Sequence, residues 1–98
     1  MHNYAYNNFM KYSWDETKRL KNLKKHRFDF ADASQVFDGP TLTMPDDGPD
    51  YGEGRFTTMG LLGLTVVVVC HTERESEIRI ISMRKAERYE IELFYSCA

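Results

Sequence analysis

One histidine and three arginines stand out among the 98 residues as groups able to handle a phosphodiester. His71 ends the most apolar stretch of the chain, Leu64 to Thr72, where titratable side chains are unusual. Its unperturbed pKa would let it move a proton near neutrality. Arg55, Arg79 and Arg84 each begin, lie within or end a segment that reads as a strand. A guanidinium grips phosphate through parallel, charge-assisted hydrogen bonds. With residues 73–77 as a hairpin loop, His71 falls opposite Arg79, and directly opposed residues share a sheet face. A loop of even length sets Ile78 opposite His71 instead. The first register joins a proton-transfer group to a phosphate clamp, which is what acid–base chemistry at phosphorus requires. A structural histidine bonded to backbone explains His71 at least as well, and each arginine alone can simply face water. Three arginines on adjacent strands are the better sign of one anion-binding surface.

Charge is segregated along the chain although the net value is only −2. Residues 18–27 contain Lys18, Arg19, Lys21, Lys24, Lys25 and Arg27 with no acid among them. Residues 38–53 contain Asp38, Asp46, Asp47, Asp50 and Glu53 with no base. Such segregation creates a local anion-attracting surface on a slightly acidic protein, or simply a solvated helix face and an acidic loop. Lys25 and His26 close the first helix, where a cation also offsets the helix dipole.

These groups need a scaffold, and length and composition give one. Ninety-eight residues, 42% hydrophobic and 13% aromatic, suit a single domain over residues 1–98 with a core over about 8–95. The two cysteines, Cys70 and Cys97, lack metal-ligand spacing, so no metal and no disulfide framework is expected; Cys70 reads as a small core residue. No secretory leader or membrane span is read, and a reducing cytoplasm is the expected compartment.

Asn8 to Trp14 reads as a short strand running into a helix start, with Asp15, or Ser13 with Glu16, as cap. The spacing predicts a helix over about Asp15 to Lys25. A second follows Asp29, with Phe30, Ala33 and Phe37 on one side, and stops at Asp38-Gly39-Pro40. Thr41 to Met44, Arg55 to Met59, Leu64 to Thr72 and Ile78 to Met83 read as strands, with a loop over Pro45 to Gly54. The valine run is expected at the sheet centre. A last helix is expected from Lys85 to about Phe94. The predicted fold class is therefore α+β: two N-terminal helices packed on a small twisted antiparallel sheet, plus a short C-terminal helix.

Several of these residues recur in a known pattern. Trp14-Asp15, Lys18, Asn22 and Lys25-His26, then Phe30, Ala33 and Val36-Phe37-Asp38, resemble the opening of BrnT-type toxins. Arg55-Phe56 with Gly60, Val68-Val69 with His71-Thr72, and Arg79-Ile80-Ile81-Ser82 with Arg84 and Ala86 resemble its later blocks, so the likeness spans roughly residues 12–88. The sequence departs from the pattern at Arg27, where glycine is expected, at Gly54, where an acid is common, and in its acidic C-terminal segment. The resemblance implies a RelE-like fold and a metal-independent RNA endonuclease without cofactor that halts translation. It implies neutralisation by a ribbon-helix-helix antitoxin of BrnA type, with operator DNA reached only through that antitoxin. Carried onto matching positions, it marks His71, Arg79, Arg84 and Arg55 as catalytic and Lys25 and His26 as substrate-binding. Lys18 and Lys21 join the latter from their place on the first helix. His71 would transfer the proton in attack of a 2′-hydroxyl on phosphorus.

Two other classes fit the same residues. One is an antitoxin-binding interaction protein with weak or absent catalysis, favoured by the acidic tail; the other is a small RNA-binding domain, disfavoured by the lack of a base-stacking aromatic motif.

Overall fold

The computed structural model describes residues 2–7, 10–46 and 54–98. The element order is β1 (His2–Asn7), β2 (Met10–Asp15), α1 (Glu16–His26), a 3-10 turn (Phe30–Asp32), α2 (Ala33–Asp38), β3 (Thr41–Asp46), β4 (Arg55–Leu62), β5 (Thr65–Arg74), β6 (Glu77–Lys85) and α3 (Arg88–Cys97). The expected class, α+β with two helical segments early and one late, is what forms. Asn8 and Phe9 of the expected first strand, and residues 47–53 of the expected loop, lie outside the described residues.

The described strands form one sheet in the order β1-β2-β6-β5-β4-β3. The expectation of an antiparallel sheet is corrected here: β2 runs parallel to β6, with Tyr12 beside Ile78 and Trp14 beside Ile80. The chain leaves β2 through α1 and returns to its side only at β6, and such a long crossover permits parallel pairing. β1, which the sequence did not suggest, pairs antiparallel with β2. The second helix is shorter than expected. A 3-10 turn capped by the Asp29 carboxylate covers Phe30–Asp32, and only Ala33–Asp38 is α-helical. β6 runs on to Lys85, so α3 starts three residues late, at Arg88, behind a Glu87–Glu90 capping box. β5 is flanked on both sides and buries Val66 to Val69, as the valine run implied.

The sheet separates two cores. Tyr12, Trp14, Val67, Val69, Ile78, Ile80 and Met83 pack against Phe30, Ala33 and Val36 on the α2 side. Met59, Val66, Val68 and Ala86 pack against Phe94 on the α3 side. Gly60 permits the first contact: a Cβ there would stand 2.7 Å from Val36 Cγ1, so α2 rests directly on β4 backbone.

α1 is fixed by one buried side chain. β2 accompanies β6 only as far as Ile80. Beyond that point the Asn22 amide acts as a strand edge, donating to the Met83 carbonyl at 2.8 Å and accepting from the Met83 N–H at 3.1 Å. The same Asn22 nitrogen donates to Phe28 O, tying down the chain after α1. Arg19 adds a two-point bond to Asp29 at 2.8 and 3.0 Å. α1 ends at Arg27 in the left-handed region (φ 68°), with its N–H on Leu23 O, at the position where the resemblance led one to expect glycine.

Two stability changes of opposite sign follow. Asn22→Ala leaves two buried backbone groups of Met83 unpaired and should destabilise the fold by about 2–4 kcal/mol in urea denaturation. Arg27→Gly removes a left-handed side-chain penalty and should raise stability by up to about 1 kcal/mol; an unchanged or lower midpoint would contradict this account of the helix end.

Candidate functional site

The register of β5 on β6 decides which side chains meet. Val67–Cys70 pair with Lys85–Ser82, but His71 pairs with Ile80, so Ile81 has no partner opposite it. Past this bulge the strands run to a two-residue turn, with Arg74 beside Glu77. Thr72, not His71, is therefore opposite Arg79. Both registers considered from the sequence, His71 with Arg79 or with Ile78, are corrected.

The consequence is that His71 and the arginines occupy different faces. His71 points to the α2 side with Ile80 and is completely buried. Its ring stacks on Phe56, centroids 5.9 Å apart, and meets Phe37 edge-on at 5.1 Å. Nε2 lies 2.7 Å from Thr58 Oγ1, which lies 2.7 Å from Thr43 Oγ1. Burial pushes the imidazole down to about 4, against a smaller opposing effect of the Thr72 backbone. The Glu73 carboxylate stands 3.5 Å from Nδ1, too far to outweigh desolvation. The expectation that His71 and the arginines share one pocket is not met: among the sequence candidates it is the one sealed inside the core.

Arg55, Arg79 and Arg84 do share a side, that of α3. Arg84 pairs with Val68, Arg79 with Thr72, and Arg55 stands two residues before Thr57, the partner of Cys70. Along these strands the α3 side changes character. Met59, Val66 and Val68 at one end are buried with Phe94 of α3. Towards the other end the same side presents Thr57, Cys70, Thr72 and Ser82, all half-buried. This floor is small and polar, and cations border it. Lys18 and Arg55 both act electrostatically on the Cys70 thiol, opposed by Asp46, the cross-strand neighbour of Arg55. Burial, the largest influence, pushes that thiol up, which favours its neutral form.

Arg84 is committed elsewhere. Its two terminal nitrogens donate to the Glu90 carboxylate at 2.7 and 2.9 Å, docking α3 on β6. This bond, the first cause, holds the buried Glu90 carboxyl below its ordinary range. Lys18, Lys21 and Lys25 are exposed on α1 and fall within roughly 60° of one another around the helix. His26 is half-buried at the helix end. Next to the polar floor, an open cleft of about 580 Å³ is lined by Gly54, Phe56, Thr72, Glu73, Arg74, Glu77 and Arg79. The Ser13 hydroxyl donates to Glu77 and holds it in place. Among the described residues, no three His, Cys, Asp or Glu side chains come together to hold a metal ion, and no helix is long and apolar enough to cross a membrane.

The sequence missed the floor because Thr57, Thr72 and Ser82 carry no chemistry individually. It held one usable signal for the bulge. Apolar alternation at Ile78 and Ile80 shifts phase through Ile81 to Met83, and two adjacent isoleucines mark the slip.

A depressed imidazole pKa sets a pH window for stability. The folded value of about 4 lies below the ordinary 6.5, so the folded state binds that proton less readily than the unfolded chain. The contribution is complete above pH 6.5 and is lost as pH falls towards 4, by up to about 3 kcal/mol. Urea midpoints measured from pH 7 to pH 4 should show it. His71→Gln, which keeps a polar atom near Thr58, should flatten the fall; an unaltered profile would contradict the assignment.

No curated protein matches the chain. The family model of the ribonuclease toxin BrnT, of type II toxin–antitoxin systems, matches residues 14–90, from the last residues of β2 into α3. It takes in α1 with its lysines, the arginine-bearing strands and Glu90, and so the chain belongs to the BrnT family of ribonuclease toxins.

Proposed function

We propose that this toxin is a metal-independent RNA endonuclease that halts translation in the cytoplasm, and that it grips the scissile phosphodiester on the polar floor of the α3 side. The observation that carries the reading is the change along one sheet face, from apolar and covered by α3 to small, polar and bordered by Arg79, Arg55 and Lys18. A face built only for packing would continue its apolar pattern.

In this reading the 2′-oxygen of RNA bonds to the adjacent phosphorus while the P–O5′ bond breaks. The products are a 2′,3′-cyclic phosphate and a 5′-hydroxyl; one proton leaves the 2′-hydroxyl and one reaches O5′. The cations stabilise the extra negative charge of the pentavalent state, which is the larger share of such catalysis. Arg79, in the cleft wall beside Thr72, is assigned the phosphate, with Arg55 and Lys18 as neighbours. Lys21 and Lys25 track flanking phosphates along α1, with His26 at its end. His71 and Arg84, first counted with the catalytic set, are reassigned to the fold: one is sealed beneath Phe37 and Phe56, the other is clamped by Glu90. The partner is proposed to be a BrnA-like ribbon-helix-helix antitoxin, through which alone operator DNA is bound, and the fold is proposed to be RelE-like.

An interaction protein with little catalysis remains the second reading, favoured by the engagement of Arg84 with Glu90 and by the net charge of −2.

The purified protein should cleave RNA in excess EDTA and leave cyclic-phosphate ends. Arg79→Ala should lower the rate by about 10²–10³ and relieve growth arrest on induction, in a protein that still unfolds cooperatively in urea. His71→Gln should retain most of the rate. Equal rates for Arg79→Ala and the parent protein would defeat the site; cleavage that stops in EDTA and returns with a divalent cation would defeat the metal-independent chemistry.

A further inference from the structure

The cleft beside the floor has a composition that phosphate binding alone does not explain. Arg74 and Arg79 suit an anion, yet Glu73, on the sheet face opposite Arg79, lines the same space and is no partner for a backbone phosphate. Phe56 is half-buried in the lining, one face of its ring stacked on His71, and a phosphate has no need of such a group. The lining also comes from both sheet faces. Phe56 lies opposite His71 on the α2 side, and Glu73 follows His71 by two residues, so ring and carboxylate are neighbours on that side. Thr72 and Arg79 form the α3-side wall. A chain gripped at Arg79 therefore meets, around the end of the sheet, an aromatic surface with a carboxylate at its edge.

We propose that this cleft is a nucleobase pocket selective for guanine: the base stacks on Phe56, and Glu73 accepts from its adjacent N1–H and N2–H donors. Unstacked RNA bases are commonly held this way, by an aromatic face and hydrogen bonds to the Watson–Crick edge. Guanine alone presents two neighbouring donors on that edge, which a carboxylate can engage together. Adenine and cytosine present one amino group beside an acceptor, and uracil presents one N–H between two carbonyls, which a carboxylate repels. Glu77, restrained by Ser13, borders the pocket on the Arg79 side. The inference rests on the ribonuclease reading and adds to it the identity of the base beside the cleaved bond.

Two measurements separate the pocket from the reaction. The first maps the ends produced from an RNA containing all four bases in equivalent contexts. Bonds adjoining guanosine should be cut about tenfold faster than bonds adjoining uridine, and Glu73→Gln or Phe56→Ala should shrink that ratio to about twofold or less. Replacing guanosine by inosine, which lacks the 2-amino group, should shrink it in the parent protein. The second measures binding of 3′-GMP and 3′-UMP by calorimetry and needs no cleavage. GMP should bind at least about fivefold tighter, a difference lost in Glu73→Gln. GMP preference without cleavage would keep the pocket and remove the nuclease reading. Cleavage without base bias, or a bias that survives Glu73→Gln, would overturn the pocket and leave the nuclease reading intact.

Discussion

One residue without a cross-strand partner, Ile81 in β6, decides which face of the sheet Arg79 takes relative to Arg84 and the core. In a regular strand Arg79 and Arg84, five positions apart, would point to opposite faces. The bulge between the Cys70–Ser82 and His71–Ile80 pairs changes the parity, so both arginines emerge on the α3 side while Ile78, Ile80 and Met83 all stay in the core beneath α2. Without it, Ile78 and Ile80 would turn out of the core and Arg79 would turn in beneath the helical layer. Burying an unpaired guanidinium there would cost far more than the bulge itself. The packing of the α2-side core and the gathering of the cations are thus one constraint met once.

Asn22 is the complement of that constraint. β2 is too short to cover β6 beyond the bulge, and Met83 would otherwise offer bare backbone polar groups inside the protein. The asparagine amide supplies a donor and an acceptor at strand spacing. It does so from a helix, and that brings Lys18 of the same helix into electrostatic range of Cys70 on the polar floor. A hydrogen bond that satisfies the sheet edge therefore also seats the basic helix beside the arginine-bearing strands.

The sequence was legible where short-range rules decide. The Asp15 cap, the end of α1, the buried valine strand and the breaker at Gly39-Pro40 all follow from local chemistry, and each appears close to its expected place. The parallel pairing of β2 with β6 was not legible, because it joins residues more than sixty positions apart and leaves no local signature. The three arginines share one side of the sheet, although Arg84 is bound there to Glu90. Assigning His71 to the same surface failed through a one-residue slip in register, which reverses a side chain completely. Its location at the end of a valine run, where core residues stand, was the better guide.

The same parity explains how a chain of net charge −2 gathers cations on one face of its sheet. Arg84 is paired with Glu90 and Arg19 with Asp29, each bond holding two segments of the fold together. Near the floor stand Arg79, Arg55 and Lys18, with Lys21 and Lys25 exposed beyond it on α1. Few phosphate contacts mean modest non-specific affinity and a shallow dependence on salt. A site of that kind gains little by holding RNA tightly everywhere. Under the proposed function it gains by discriminating at one position, where half-buried arginines act in a medium less polarisable than water.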